Sequence, residues 1–116
     1  MGVAHHTHFF VWFEIGRTEL LRELGCTYGE LEAQGIFMPV VEAQCRYRAP
    51  ARYDDRLEVE TDLEEVAASR VCFRYRLQRQ GAQQPLAEGR TVHATVNREG
   101  EVIRLPTAFR DLLSRS

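Results

Sequence analysis

Apolar residues near the start of the chain recur at the spacing of a helix. They are Phe9, Trp12, Phe13, Gly16, Leu20 and Leu24, and Phe10, Ile15 and Leu21 widen the stripe around most of the circumference. A helix that is apolar on most faces is normally buried, so we expect one long, widely covered helix. Gly25 is a suitable residue to end it. Thr27 and Glu30 then form the capping-box pattern of a short second helix that ends near Gly35.

From residue 41 onward the period changes to two, which is the period of a β-strand. Four alternating segments follow, over residues 41–48, 57–64, 71–79 and 86–97. Acidic residues occupy one face of the second segment and arginines one face of the third, so we expect these side chains to pair across a hairpin. Residues 108–113, which follow Pro106, form a short amphipathic segment that predicts a terminal helix.

This order of elements predicts an α+β fold, in which an antiparallel sheet curls around one long central helix. The 116 residues suit a single domain spanning 1–116, which is large enough to bury a core without disulfides or a metal. The three cysteines are widely spaced and form no CxxC pair, so we expect them to be reduced thiols.

Charge and hydropathy narrow the function classes. The net charge of −2 gives no basic field for nucleic acid or for an anionic membrane surface. No apolar run approaches the ~20 residues needed to span a membrane, and the N-terminus lacks the pattern of a secretory signal. We therefore expect a cytoplasmic protein without membrane insertion. The H-H-x-H stretch at residues 5–8 is a poor metal site, because adjacent histidines in a non-helical lead-in rarely converge on one ion.

Four stretches of the chain, taken in order, resemble one family. They are GVAHHTHFFVWFEIGRTELLRELG, GIFMPVVEAQCRYRAPARYDDRLEVET, SRVCFRYRL and LAEGRTVHATV. The chain resembles the hotdog-fold acyl-CoA thioesterases, in particular the YbgC-like and 4-hydroxybenzoyl-CoA thioesterase branch. The resemblance implies a hotdog fold and hydrolysis of an acyl-CoA, with a small or aromatic acyl group, to a free acid and CoA. It also implies that no cofactor is needed, and that homodimers join edge to edge, often pair into homotetramers and hold the active site at their interface.

The chain departs from the family at its first residues. The family's D-x-x-G motif supplies the catalytic aspartate, and Gly2 matches the glycine of that motif. The aspartate would therefore lie three residues earlier, before Met1, together with the first strand. We interpret this as a shortened start of the sequence. The alternative is a chain that uses another catalytic group or has lost the activity.

The resemblance also assigns a role to His6. It matches the position of a histidine that is proposed to assist catalysis in YbgC-like members by orienting water or substrate. In the hydroxybenzoyl branch the same position contributes mainly its backbone N–H to the oxyanion. Exposed N–H groups at a helix start suit the second role, because they carry a favourable dipole. The alternative is a polar lead-in to the helix without a catalytic part.

Glu14 is a carboxylate on the long helix. A buried carboxylate needs a partner, and Arg17 at i+3 is the local candidate, so we prefer a salt-bridged structural role. Glu14 is also the fallback catalytic carboxylate if the chain is active without the motif aspartate.

The remaining candidates concern substrate binding. The residues proposed to line an acyl pocket are Phe9, Phe13, Met38, Pro39 and Val40, although aromatic residues at helical spacing are more often part of a core. Arg70 lies near the place where the hydroxybenzoyl branch binds CoA phosphates, and the alternative is an ordinary surface arginine. Asp54 and Asp55 mark a turn into a strand, and we assign them no catalytic role.

Two other hypotheses compete with the enzyme. The chain could be a hotdog module that binds an acyl thioester or a protein partner without hydrolysis, which fits the absent aspartate. It could also be a small structural dimer without a ligand. The glycine and histidine before the helix argue against the structural dimer.

Overall fold

The computed structural model describes residues 7–49, 56–81 and 84–114, with the side chains of residues 7–9 left aside. Its elements are α1 (Thr7–Glu23), α2 (Tyr28–Ala33), β1 (Val40–Tyr47), β2 (Leu57–Val66), β3 (Arg70–Arg79), β4 (Pro85–Ala94) and α3 (Thr107–Leu113). The predicted order of two helices, four strands and a terminal helix is confirmed. No helix among these residues is long and apolar enough to cross a membrane.

The predicted end of α1 and the predicted start of α2 are also confirmed. Gly25 has a φ of +87°, and the next amide, that of Cys26, donates to the Leu21 carbonyl over 2.9 Å. This left-handed end is the conformation that favours glycine. The Thr27 hydroxyl accepts a hydrogen bond from the Glu30 amide and so caps α2.

The four strands form one antiparallel sheet in the order β1-β4-β3-β2. Adjacent β2 and β3 form the predicted hairpin, in which Glu60 lies opposite Arg76 and Asp62 lies opposite Arg74. Opposite charges therefore face each other across the hairpin, as the alternation predicted. Because β1 pairs with β4, the first and last strands of the described sheet are neighbours, and β1 and β2 form its two edges.

Two glycines allow α1 to lie close to the sheet. A side chain at Gly16 would overlap Thr61 and Val59 of β2, and one at Gly89 would overlap the ring of Phe13. The Phe13 ring therefore rests directly on β4, and it stacks on Tyr75 of β3 with ring centroids 4.4 Å apart. This contact lies in the core that α1 shares with the sheet.

The expected wide covering of α1 is wrong on one side of the helix. Val11 is 52% exposed and Ile15 is 55% exposed. The apolar face of β1 is open as well: Val41, Ala43 and Tyr47 are exposed and Cys45 alone of that face is half-buried. The reason is the position of the helix: α1 lies over β2 and β3 and leaves the β1 side of the sheet uncovered.

Candidate functional site

The uncovered strip between the helix and the edge strand is a groove of about 250 Å³, which we call the α1–β1 groove. It is lined by Phe10, Val11, Glu14, Arg17, Val40, Ala43 and Thr91. The helix supplies four of these residues, the edge strand two and β4 one. The walls are apolar, and the polar groups are one carboxylate, one guanidinium and one hydroxyl.

The two charges in the groove do not neutralise each other. Glu14 is exposed and Arg17 is half-buried, and no ion pair joins these two described residues. The preferred salt-bridged structural role of Glu14 is therefore wrong. One turn of helix separates the two residues, but the guanidinium turns toward the sheet, where its Nη1 lies 3.5 Å from the Tyr75 hydroxyl.

A column of buried hydrogen bonds continues from Tyr75 across the inner face of the sheet. The Tyr75 hydroxyl lies 2.5 Å from the hydroxyl oxygen of Thr91, which lies 2.9 Å from Nε2 of His93. The other ring nitrogen of His93 lies 2.9 Å from the backbone carbonyl of Met38. Tyr75, Thr91 and His93 are each no more than 2% exposed. The column therefore joins the floor of the groove to the segment that precedes β1.

The partners fix the direction of these hydrogen bonds. A carbonyl only accepts, so Nδ1 of His93 carries the hydrogen and donates to Met38. In the neutral ring Nε2 accepts, so the Thr91 hydroxyl donates to it, and the Tyr75 hydroxyl donates to Thr91. The Tyr75 oxygen is left to accept from Arg17. Every member of the column is satisfied in this one arrangement.

Burial keeps the column uncharged apart from the guanidinium. Desolvation lowers the pKa of His93 below its ordinary value of 6.5, so the imidazole is neutral at pH 7. Desolvation also raises the pKa of Tyr75, and it raises the pKa of Tyr28 to about 12 although the charge of Arg17 acts against it. Neither phenol offers Arg17 a negative charge at neutral pH.

The structure brings some of the predicted site residues together and separates others. Glu14 and Val40 lie in the α1–β1 groove. Phe13 is fully buried in the core. Pro39 lines a second cavity, of about 570 Å³, together with Tyr28, Phe37, Met38 and Arg98 among others. The roles proposed for these residues stay predictions.

Arg70 is not among the residues that line the α1–β1 groove. It begins β3, is exposed, and forms an ion pair of 2.7 Å with Glu65 of the neighbouring strand. Gly2, His6, Asp54 and Asp55 lie outside the described residues, and so does the side chain of Phe9. The phosphate-binding role of Arg70 and the roles of Gly2, His6 and Phe9 also stay predictions.

The sequence contained a signal for the column that the strand pattern alone did not reveal. Thr91 and His93 are two residues apart on β4, so both point to the same face of the sheet. That face also carries Ala87 and Gly89 and is turned toward α1, since Gly89 lies against the Phe13 ring. Two polar residues in successive inward positions of a strand need buried partners. The partner Tyr75 lies on another strand, so the pairing depends on the sheet register.

Comparison with known proteins identifies the group to which the fold belongs. Residues 1–113 match the Thioesterase-like superfamily. The acyl-CoA thioesterase YbgC of Haemophilus influenzae is 38% identical over 79 residues, which are 67% of this chain and 58% of the relative. The chain thus spans less than two thirds of the length of this relative.

Solved structures agree over nearly the whole chain. The hypothetical protein TT1821 of Thermus thermophilus is 40% identical with a TM-score of 0.90, covering 99% of this chain and 87% of its own. The DHNA-CoA thioesterase of Staphylococcus aureus is 25% identical with a TM-score of 0.91. The match covers 99% of this chain and 79% of the thioesterase. The sheet and its central helix are therefore the hotdog fold, as predicted. Because the family match extends over residues 1–113, the chain belongs to the Thioesterase-like superfamily.

Proposed function

We propose that the protein hydrolyses acyl-CoA thioesters with a small or aromatic acyl group, giving the free acid and CoA. Membership of the Thioesterase-like superfamily supports the reaction class. The α1–β1 groove supports the site, because its apolar walls suit an acyl group and its polar residues suit attack on a carbonyl. We also propose a cytoplasmic protein, as expected for an enzyme that acts on a CoA ester.

The observation that carries the proposal is the exposed, unpaired carboxylate of Glu14 inside an apolar groove. Such a carboxylate is available as a general base. In the proposed step Glu14 takes a proton from water while the water oxygen bonds to the thioester carbon. The C–S bond then breaks, and the proton passes to the departing CoA sulfur. Backbone N–H groups around His6 remain the proposed oxyanion donors.

The edge of the sheet beside the groove supports an assembly. In the described sheet β1 has no neighbour on its outer side, and Val40 and Val41 are 45% and 57% exposed. A free edge with exposed apolar side chains is a template for pairing with another strand. We propose a homodimer joined along β1, which would place the groove at the subunit interface, and a homotetramer formed by two such dimers.

One observation favours the second candidate, a module that binds an acyl thioester without hydrolysing it. In the described part of the chain, no hydrogen bond holds the Glu14 carboxylate in place. Catalytic groups are usually held in position by neighbouring hydrogen bonds. A binding module would need the groove but not an oriented base.

Release of free thiol from a panel of acyl-CoAs tests the proposal directly. We expect hydrolysis by the wild-type chain and a loss of at least about 10²-fold in kcat for Glu14→Gln, because proton transfer by a positioned side chain contributes 10²–10⁴-fold. Glu23→Gln, at the far end of the same helix, is the matched control and should keep full activity. A folded wild-type chain that binds acyl-CoA but releases no thiol would contradict hydrolysis by Glu14 and favour the binding module.

A further inference from the structure

Arg17 is a half-buried cation without a carboxylate. On the sheet surface Arg48, Arg70 and Arg90 each form an ion pair with a glutamate. Among the described residues Arg17 has no such partner. Its contact with the column is a long hydrogen bond of 3.5 Å to the Tyr75 hydroxyl. The guanidinium is therefore held in place by neutral groups only.

This arrangement leaves hydrogen-bonding capacity unused. The Tyr28 hydroxyl lies close enough to the guanidinium to interact with it, but neither this buried hydroxyl nor the buried Nε–H group of Arg17 has a partner with hydrogen-bond geometry. Burying a charge without compensation is unfavourable, and an unsatisfied buried donor adds about 1–3 kcal/mol. Glu14, one turn earlier on the helix, points to solvent instead. The fold thus keeps a cation at the groove floor that no group of the described chain neutralises.

The groove around this cation has the shape of a site for a small organic anion. Phe10, Val11, Val40 and Ala43 form apolar walls, and the polar floor consists of Arg17 and Thr91. Its volume of about 250 Å³ is smaller than the pockets that hold drug-sized ligands, which are about 300–1,000 Å³. Glu14 lines the same groove, and its negative charge repels an anion. An anion is therefore favoured only next to the Arg17 guanidinium.

We propose that Arg17 binds the carboxylate of a small apolar monocarboxylic acid, with the body of the acid between the apolar walls of the groove. The role of this contact in catalysis rests on the proposed function. There, the acid is the product of hydrolysis, and the same guanidinium would act together with the proposed backbone N–H donors on the negative oxygen that forms when water adds to the thioester carbon. Guanidinium groups suit this task because they stay charged and bind carboxylates through two parallel donors.

The test compares binding of benzoate with binding of benzamide, which has the same shape and no charge. Binding is measured by NMR titration of the full 116-residue chain, without CoA. We expect the wild type to prefer benzoate, and Arg17→Gln to lose benzoate affinity by about tenfold or more, since a charge-assisted hydrogen bond is replaced. Arg22→Gln is the matched control, because Arg22 lies on the same helix and pairs with Glu19 at the surface.

A second measurement covers the case in which Arg17→Gln does not fold. The Nε–H resonance of Arg17 is assigned by its absence in Arg17→Lys, and benzoate but not benzamide should shift it in the wild type. Equal binding of benzoate and benzamide, binding of neither, or an unshifted resonance would each overturn the proposal. Thiol release, measured in parallel, keeps the two proposals apart. If the chain is inactive but prefers benzoate, only the hydrolase proposal is excluded. If the chain is active but lacks that preference, only the Arg17 proposal is excluded.

Discussion

The Nε2 atom of His93 lies 2.9 Å from the hydroxyl oxygen of Thr91, two residues away on the same buried face of β4. This contact makes the strand itself part of a polar column inside an otherwise apolar core. Because the His93 ring also donates to the Met38 carbonyl, the column links the sheet to the chain that enters β1. The stability and the geometry of the groove floor therefore depend on the same few hydrogen bonds.

The stability of the protein should fall as the pH drops below about 6.5. Burial lowers the pKa of His93 from 6.5, so below that pH the unfolded chain binds a proton that the folded chain does not. Protonation in the folded state would also force the Thr91 hydroxyl to reverse its hydrogen bond. We expect urea unfolding at pH 7.5, 6.5 and 5.5 to show a steady loss for the wild type. The free energy of unfolding of His93→Gln should fall less over the same pH range, because the variant lacks the imidazole. An equal loss in both proteins would show that His93 is not responsible.

Removal of the Thr91 hydroxyl should destabilise the fold more than its size suggests. Thr91→Val keeps the shape of the side chain but leaves the Tyr75 hydroxyl and His93 Nε2 without their shared partner. Each unsatisfied buried group costs about 1–3 kcal/mol, so we expect the free energy of unfolding to fall by at least about 2 kcal/mol.

A double-mutant cycle with Tyr75→Phe tests whether this loss comes from the column. If it does, the double variant Thr91→Val/Tyr75→Phe should lose less than the sum of the two single variants, because both members of one hydrogen bond are then gone. Strict additivity in urea unfolding would mean that the two hydroxyls act independently. That result would contradict the 2.5 Å hydrogen bond between them.

Gly89→Ala should be clearly destabilising, because a Cβ there would overlap the Phe13 ring and approach the Gln44 carbonyl oxygen to 3.0 Å. Overpacking of a core costs about 1–3 kcal/mol. Gly29→Ala is the matched control, since its nearest neighbour would be 3.8 Å away and alanine favours the helix by up to about 1 kcal/mol. Thermal unfolding should therefore move in opposite directions for the two variants. A Gly89→Ala protein as stable as the wild type would show that α1 can shift away from the sheet.

Local pattern predicted the elements of this fold, and long-range pairing decided the site. The alternation from Val71 to Leu77 was sufficient to predict β3, and Gly25 and Thr27 were sufficient to predict how two helices end and begin. In contrast, nothing near Arg17 in the sequence shows that its guanidinium faces Tyr75, which is 58 residues away. Local spacing instead favours Glu14 as its partner, but in the structure Arg17 contacts Tyr75 of the sheet.

The free edge of β1 gives a direct test of the proposed homodimer. Val41 is 57% exposed beside a register irregularity of this edge strand, and a lysine on an edge strand opposes pairing with another chain. We expect the wild type to have about twice the 13.4 kDa chain mass or more by light scattering, and Val41→Lys to shift toward the monomer. Val102→Lys is the matched control, because Val102 is 67% exposed and lies outside β1. An unchanged mass for Val41→Lys, with Val102→Lys dissociating instead, would move the subunit interface away from β1 and remove the groove from it.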